Sequence, residues 1–301
     1  MSEPYSHVAP EIREILDGSP AERIAVAQAD QWVDYPAATA ALKRLEDALK
    51  HTRASRMENC LLVGDSNNGK SAILRTFAQR NPSRGWMTDV DGTPQARAIP
   101  VLLMEMPTQR HEEFFWKAML KGLACAAPRR NVDLEPFACS LLEQFEVRVL
   151  VIDEVHNLLL GGSPKDHRTR LKQLKSLSNR LRLPIVVAGT HEAEVALATA
   201  EEVDNRFEPF VLPRWNLDRN FRGFVAAYER MLPLKQPSRL AEKETLIPLY
   251  TVCDGTIGRL VKVLQRATVA AIESGAERID ADLIAKIATL PYGKERSRAV
   301  G

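Results

Sequence analysis

Apolar residues recur with two different periods along the chain, and the change from one to the other marks out its parts. The opening stretch reads as helical. Ala21-Glu22-Arg23-Ile24-Ala25-Val26-Ala27 is one such segment, and residues 36–51 are another, with Leu42, Leu45 and Leu49 at i, i+3 and i+7 on one face. From Cys60 the pattern shortens. Cys60-Leu61-Leu62-Val63, residues 100–106, 147–152 and 184–189, and more weakly 207–212, are short runs rich in Val, Ile and Leu, with helical patterns at 70–79 and 114–123 between the earlier ones. Nearly continuous apolar runs separated by helices predict an α/β fold whose parallel five-stranded sheet is covered on both faces. Residues 81–98 are polar, contain two Pro and two Gly, and read as an exposed loop. Beyond Leu217 the strand signals stop, and 220–232, 241–253, 257–274 and 280–290 are helical in pattern, punctuated by Gly255 and Pro291. The expected order is an N-terminal helical extension (1–55), an α/β domain (56–215), a small all-helical lid (216–290) and a mobile tail (291–301).

The most informative run is Gly64-Asp65-Ser66-Asn67-Asn68-Gly69-Lys70-Ser71, which fits G-x-x-x-x-G-K-[ST]. Gly64 and Gly69 let the backbone curl so that successive N–H groups face one anion. The helix starting near Lys70 adds its N-terminal partial positive charge. Lys70 is placed to reach the β- and γ-phosphates of ATP, and the Ser71 hydroxyl to coordinate Mg²⁺. An apolar strand before the run and a helix after it supply the context that such a loop requires.

A second site candidate is Asp153-Glu154, at the end of Val149-Leu150-Val151-Ile152. An acid ending such a strand is expected beside the first strand's loop, where Asp153 can hold Mg²⁺ through water. Glu154 can polarise a water for attack on the γ-phosphate, a general-base role. With the next two residues the run reads Asp153-Glu154-Val155-His156, superficially the D-E-x-H box of helicases. Those enzymes need a second nucleotide-binding core, which the residues after Leu217 do not provide. His156 is taken as a structural neighbour.

Composition narrows the options. The chain has 301 residues, 45% hydrophobic and 27% charged, with a net charge of +2, so global charge points to neither nucleic acid nor membrane. No apolar run approaches the roughly 20 residues of a membrane-spanning helix, and the first fifteen residues lack the apolar core of a secretory signal. Four cysteines with no C-x-x-C pair suggest ordinary thiols in a reducing cytoplasm.

The order strand, phosphate loop, helix, strand, helix, strand ending in Asp-Glu, strand, then a helical lid resembles the AAA+ P-loop ATPases. Longer strings narrow the resemblance: Leu62-Val63 leading into the phosphate loop, Val151-Ile152-Asp153-Glu154-Val155-His156-Asn157, Asn205-Arg206-Phe207-Glu208-Pro209-Phe210 and, more weakly, Trp32-Val33-Asp34-Tyr35-Pro36. Together they resemble the TniB family, bacterial ATP-dependent target-selection subunits of transposons similar to the TnsC regulators. That resemblance implies a protein that oligomerises with Mg-ATP, as a ring or a filament, on double-stranded DNA of any sequence. It further implies slow ATP hydrolysis dependent on oligomer or DNA, a DDE-type transposase as partner, and a TniQ-like target selector as a further one. It assigns Thr190 to the sensor that meets the γ-phosphate or attacking water. Arg206 becomes the arginine finger reaching a neighbouring subunit's nucleotide, against a competing pairing with Glu202 or Glu208. Arg259 becomes a second sensor directed at the phosphates, and Trp32, Tyr35 and Ile257 become candidate adenine neighbours or plain core. On the residues alone two alternatives stay open, a replication initiator or helicase loader and a nucleotide-binding module with negligible turnover.

A DNA surface has one regular candidate. Residues 165–182 hold Lys165, Arg168, Arg170, Lys172, Lys175, Arg180 and Arg182 against a single acid, Asp166. Leu171, Leu174, Leu177 and Leu181 form its apolar stripe, leaving Arg168, Lys172 and Lys175 in a row that could follow a phosphate backbone or simply be solvated. Arg110, Lys117, Lys121, Arg129 and Arg130 form a less regular second candidate.

Overall fold

The structure is a computed structural model that describes residues 5–50, 57–83, 86–88, 94–109, 111–128, 132–160, 164–198 and 207–289. In chain order its elements are α1 (Pro10–Arg13), α2 (Pro20–Gln28), α3 (Pro36–Lys50), β1 (Asn59–Val63), α4 (Lys70–Arg80), β2 (Trp86–Thr88), β3 (Pro94–Arg97), β4 (Val101–Glu105), α5 (Glu112–Gly122), α6 (Leu134–Gln144), β5 (Val149–Asp153), α7 (Pro164–Leu181), β6 (Ile185–Gly189), α8 (His191–Ala198), β7 (Phe207–Val211), α9 (Arg219–Glu229), α10 (Lys243–Cys253), α11 (Ile257–Glu273) and α12 (Ala281–Ala288). They fall into two compact units, Ala37–Pro213 and a second made of Met1–Pro36 together with Arg214–Gly301.

The α/β unit is built on one sheet in the order β4-β5-β6-β1-β7, with every neighbouring pair parallel. Every residue of β1 and β6 is buried, as is β5 up to Ile152, which is why these strands read as unbroken apolar runs. Pro209 is accommodated because β7 is an edge strand, where a missing N–H costs no ladder bond on the open side. One expectation is corrected here. The strand ending in Asp153 is not beside β1, because β6 lies between them.

The helix faces follow the sequence spacing. Leu171, Leu174, Leu177 and Leu181 of α7 are buried with Trp116, Met119 and Leu120 of α5 and Leu142 of α6 in the core around the central strands. Each such side chain contributes about 1.5–3 kcal/mol by leaving water. Asn59 ties three segments together. Its Oδ1 accepts the Ile185 N–H at 2.8 Å and the Ser178 hydroxyl at 3.1 Å, joining β1, β6 and α7 from inside the core. The stretch expected as an exposed loop contains the antiparallel pair β2–β3. Its polar composition hid two β-favouring residues, Trp86 and Thr88, and the hairpin signal Asp91-Gly92.

The helical unit draws on both ends of the chain. Val8, Ile12 and Leu16 are buried against Val26 and Met231. Arg23, 2% exposed, donates from Nε and Nη2 to the Pro233 carbonyl (3.1 and 2.8 Å) and from Nη1 to Glu277 Oε1 (2.8 Å); Nη2 also meets Glu277 Oε2. Glu277 is thereby held below the ordinary carboxylate pKa, chiefly by the bonds from Arg23. Tyr35 packs against Trp215 and Phe224 with ring centroids 5.0 and 5.7 Å away. The stretch read from sequence as a single 1–55 extension is therefore divided, with α1 and α2 in the helical unit and α3 in the α/β unit. The expected tail, 291–301, lies outside the described residues.

Candidate functional site

The site is assembled at the C-terminal ends of β1, β5 and β6. After β1, the Gly64 N–H donates to the Gly189 carbonyl at 3.2 Å, carrying the ladder one residue further, and the chain then turns, with the Asn68 N–H on the Asp65 carbonyl at 3.2 Å. Asn67 has φ 62° and Gly69 φ 86°, both left-handed. Asn tolerates that region better than most side chains. At Gly69, the N-cap of α4, a Cβ would be strained by about 1–2 kcal/mol.

Lys70 opens α4 and is only 6% exposed. Its Nζ donates to the carbonyls of Gly64 (2.7 Å) and Asp65 (2.8 Å), so the cation sits on the inner rim of the loop. Burial pulls its pKa below the ordinary lysine value, against the opposing charges of Glu154, Asp153 and Asp65. That interaction brings phosphate loop and acidic pair into one electrostatic neighbourhood across the intervening strand. Ser71 follows in the first turn of α4, while Ser66 and Asn67 are exposed on the loop. Asn68 behaves differently from its neighbours. It is 3% exposed, and its Nδ2 donates to the carbonyls of Leu212 (2.8 Å) and Pro213 (3.2 Å), so this side chain anchors the loop to the segment after β7.

At the end of β5, Asp153 Oδ1 accepts the Glu154 N–H at 2.8 Å. Glu154 itself is left-handed, with φ 54° and ψ 39°, a conformation that costs a non-glycine residue roughly 1–2 kcal/mol. Its carbonyl accepts the Asn157 N–H (2.9 Å), and the buried Asn157 Nδ2 donates to the Met106 carbonyl (2.8 Å). Strain of this kind persists where surrounding bonds enforce it. Glu154 Oε2 lies 3.1 Å from His156 Nδ1. At the end of β6, the Thr190 carbonyl accepts the first N–H groups of α8, while Thr190 Oγ1 is buried without a hydrogen-bond partner. Glu105, absent from the sequence reading, is the register partner of Asp153 on β4 and adds a carboxylate to that end of the sheet. Its signal was available, as an acid ending the apolar run of residues 100–106.

Other expected site residues lie elsewhere. Arg206 and Arg110 fall outside the described residues, as do Arg129 and Arg130. Glu208, one suggested partner of Arg206, is paired with Arg44. Arg259 opens α11 in the helical unit, exposed, with Nη1 3.8 Å from Asp254 Oδ2; Arg214 donates to the same oxygen at 2.8 Å. Ile257 is buried, and Tyr35 is buried in the aromatic cluster, which pushes its phenol up to about 12. Trp32 donates its indole N–H to Asp34 Oδ1 at 2.9 Å. Of the basic candidates, Lys165, Arg168, Lys172 and Lys175 lie on α7, with Lys172 exposed and Lys175 half-buried, and Lys121 is exposed on α5. Arg180 is engaged with Glu135 (2.6 Å) and Cys139 Sγ (2.7 Å) of α6. All four cysteines are free. Among the described residues no helix is long and apolar enough to cross a membrane.

A parallel sheet with one strand inserted between the phosphate-loop strand and the acidic strand, flanked by helices and accompanied by a C-terminal helical region, defines an AAA+ P-loop ATPase fold. Solved structures agree. The Orc1 protein of Aeropyrum pernix in complex with DNA has a TM-score of 0.61 at 16% identity, over 88% of this chain and 68% of its own. Cdc6p from Pyrobaculum aerophilum (TM-score 0.57, 16% identity, 85% and 67% covered) and a Walker-type ATPase of Pyrococcus abyssi (0.54, 16%, 82% and 69%) share it. The profile described as "Bacterial TniB protein" matches residues 23–217, and the chain belongs to that family. No curated protein matches the chain.

Proposed function

We propose that this TniB-family protein binds and hydrolyses Mg-ATP and uses the nucleotide to assemble on double-stranded DNA, where it marks a target for a DDE-type transposase. The single observation that best supports the reading is Lys70. A buried ammonium that rests on two loop carbonyls, with Asp153 and Glu154 in electrostatic reach, has a geometry suited to exchanging those carbonyls for phosphate oxygens. The donor set also fits. The left-handed turns at Asn67 and Gly69 direct the loop backbone into the start of α4, where anions are favoured.

Ser71 and Asp153 would hold Mg²⁺, and the few protein ligands suit an ion that takes most of its shell from phosphate and water. When bound, Mg²⁺ would neutralise charge on the β- and γ-phosphates. Glu154 would take a proton from the attacking water. Thr190 Oγ1, buried and without a partner, would orient that water or the γ-phosphate. Arg206 of one copy would complete the site of the next, and Arg259 would approach the phosphates from the helical unit. Hydrolysis would loosen the interface between copies, so the age of the nucleotide would set the time spent on DNA. The row Arg168, Lys172 and Lys175, with Lys165, Lys121 and Arg110, would meet phosphates without reading bases. A TniQ-like selector would join the same assembly.

The test is direct. Lys70→Ala should weaken ATP binding by at least about 100-fold, because charge-assisted bonds of about 1.5–3 kcal/mol each are lost. Unchanged affinity for a fluorescent ATP analogue would refute the site. Electron micrographs with Mg-ATP and duplex DNA should show multimers, and isolated copies there would refute the assembly. A replication-initiator reading is favoured by the Orc1 likeness, since that protein was captured with DNA. Delivery of a helicase rather than stimulation of a transposase would select it.

A further inference from the structure

The proposed reaction leaves one side chain at the site without a task. His156 follows Glu154 by two positions, and its Nδ1 is buried without a hydrogen bond, 3.1 Å from Glu154 Oε2. The distance is that of a hydrogen bond, but the approach is out of line, and a small turn of the glutamate would close it. Buried ring nitrogens are seldom left unpaired, and this carboxylate is the acceptor within reach.

The backbone fixes the pair in place. Glu154 is held left-handed by Asp153 Oδ1 on its N–H and by the Asn157 N–H on its carbonyl. Asn157 is in turn anchored to Met106. Behind the turn stands Gly189, where a Cβ would come within 2.9 Å of Val155 Cγ1 and 2.8 Å of Ala193 Cβ. The end of β6 thus presses on the segment that carries His156, and the imidazole has little freedom to move away.

We propose that His156 is a positioning residue that latches the Glu154 carboxylate through Nδ1–H and keeps turnover by the isolated chain low. The inference rests on the reading of Glu154 as the base. A hydrogen bond to an ionised carboxylate stabilises the charge and lowers its appetite for a proton. It also turns the oxygen toward the imidazole. A base so engaged is weaker and wrongly aimed, so releasing it should speed the chemical step without altering nucleotide binding.

The experiment compares His156→Ala with His156→Asn in the full chain, since the Asn Nδ2 can sit where Nδ1 did. Without DNA, His156→Ala should raise kcat for Mg-ATP by about tenfold, equivalent to about 1.4 kcal/mol of barrier, with KM unchanged. His156→Asn should keep the parent's rate. A fall or no change in kcat for the alanine variant, or an asparagine variant that follows it, overturns the latch. A second readout needs no turnover. Nitrogen-15 NMR of the nucleotide- and metal-free protein at a single pH should show the Nδ1-protonated tautomer, reverting to Nε2–H in Glu154→Ala. An imidazole signal indifferent to Glu154 overturns the proposal even where turnover cannot be measured. Absent ATP binding in the parent would instead overturn the site reading, and the two failures are thereby kept apart.

Discussion

The two units treat buried polar groups in opposite ways. In the helical unit the guanidinium of Arg23 is almost wholly buried, and its Nε, Nη1 and Nη2 all donate to the Pro233 carbonyl or Glu277. In the α/β unit a lysine loses solvation, a threonine hydroxyl goes unpaired and a glutamate is strained, all at the ends of three parallel strands. Satisfied burial holds a structure in place, whereas unsatisfied burial held rigidly by neighbours is what a binding site requires. The contrast separates residues that keep the fold from residues that await a ligand.

The contrast can be broken by substitution. The largest expected effect is at Glu154. Glu154→Gln should cut ATP turnover between about 100- and 10,000-fold while leaving ATP affinity intact, and normal turnover in a steady-state assay would remove its role as base. Next comes Arg23. Its replacement by Ala leaves the Glu277 carboxylate without its partner and should destabilise the helical unit by about 3–5 kcal/mol in denaturant titrations, with amide exchange accelerated in α2 and across residues 233–236. Nucleotide binding should survive. Equal loss of protection in the α/β unit would show that the two behave as one cooperative body.

A smaller effect is expected on α7. Replacing Arg168, Lys172 and Lys175 together should flatten the salt dependence of DNA binding by about 0.9 in log–log slope for each phosphate no longer neutralised. An unmoved slope would make the row a solvated face. The smallest effect is in acid. The depressed pKa of Glu277 means that its contribution is present above the ordinary value of 4.5 and is lost as pH falls through its lower value in the folded chain. Acid titration below that ordinary value should therefore loosen α2 before the sheet, as near-ultraviolet circular dichroism of the aromatic cluster would report.

Much of the α/β unit was legible because burial on both faces leaves a simple trace. β1, β5 and β6 are almost wholly apolar, and the leucines of α7 keep helical spacing into the core. The phosphate loop was legible because its turns require Gly at fixed places. What local pattern could not show was order in space. Nothing in β5 itself says that β6 will lie between it and β1, because lateral neighbours in a parallel sheet are chosen by distant segments. Helices α6 and α8 went unassigned, although Asp133 caps α6 by accepting the Glu135 N–H. The left-handed turn at Glu154 left no trace in residue type, since glutamate is not a residue that announces such a backbone. His156 was set aside for want of that geometry. The membership of α2 in the helical unit was equally hidden, because the partner of Arg23 is 254 positions away.

That separation bears on the order of events during synthesis. The α/β unit is an insertion, entered after Pro36 and left after Pro213, within a body whose first and last pieces must meet. On the ribosome the sheet has all its strands before Glu277 is translated, so Arg23 waits through the making of an entire nucleotide-binding domain before it finds its counter-ion. A stalled or shortened transcript would release a finished sheet whose leading helices remain unclaimed, an obvious target for chaperones and proteases.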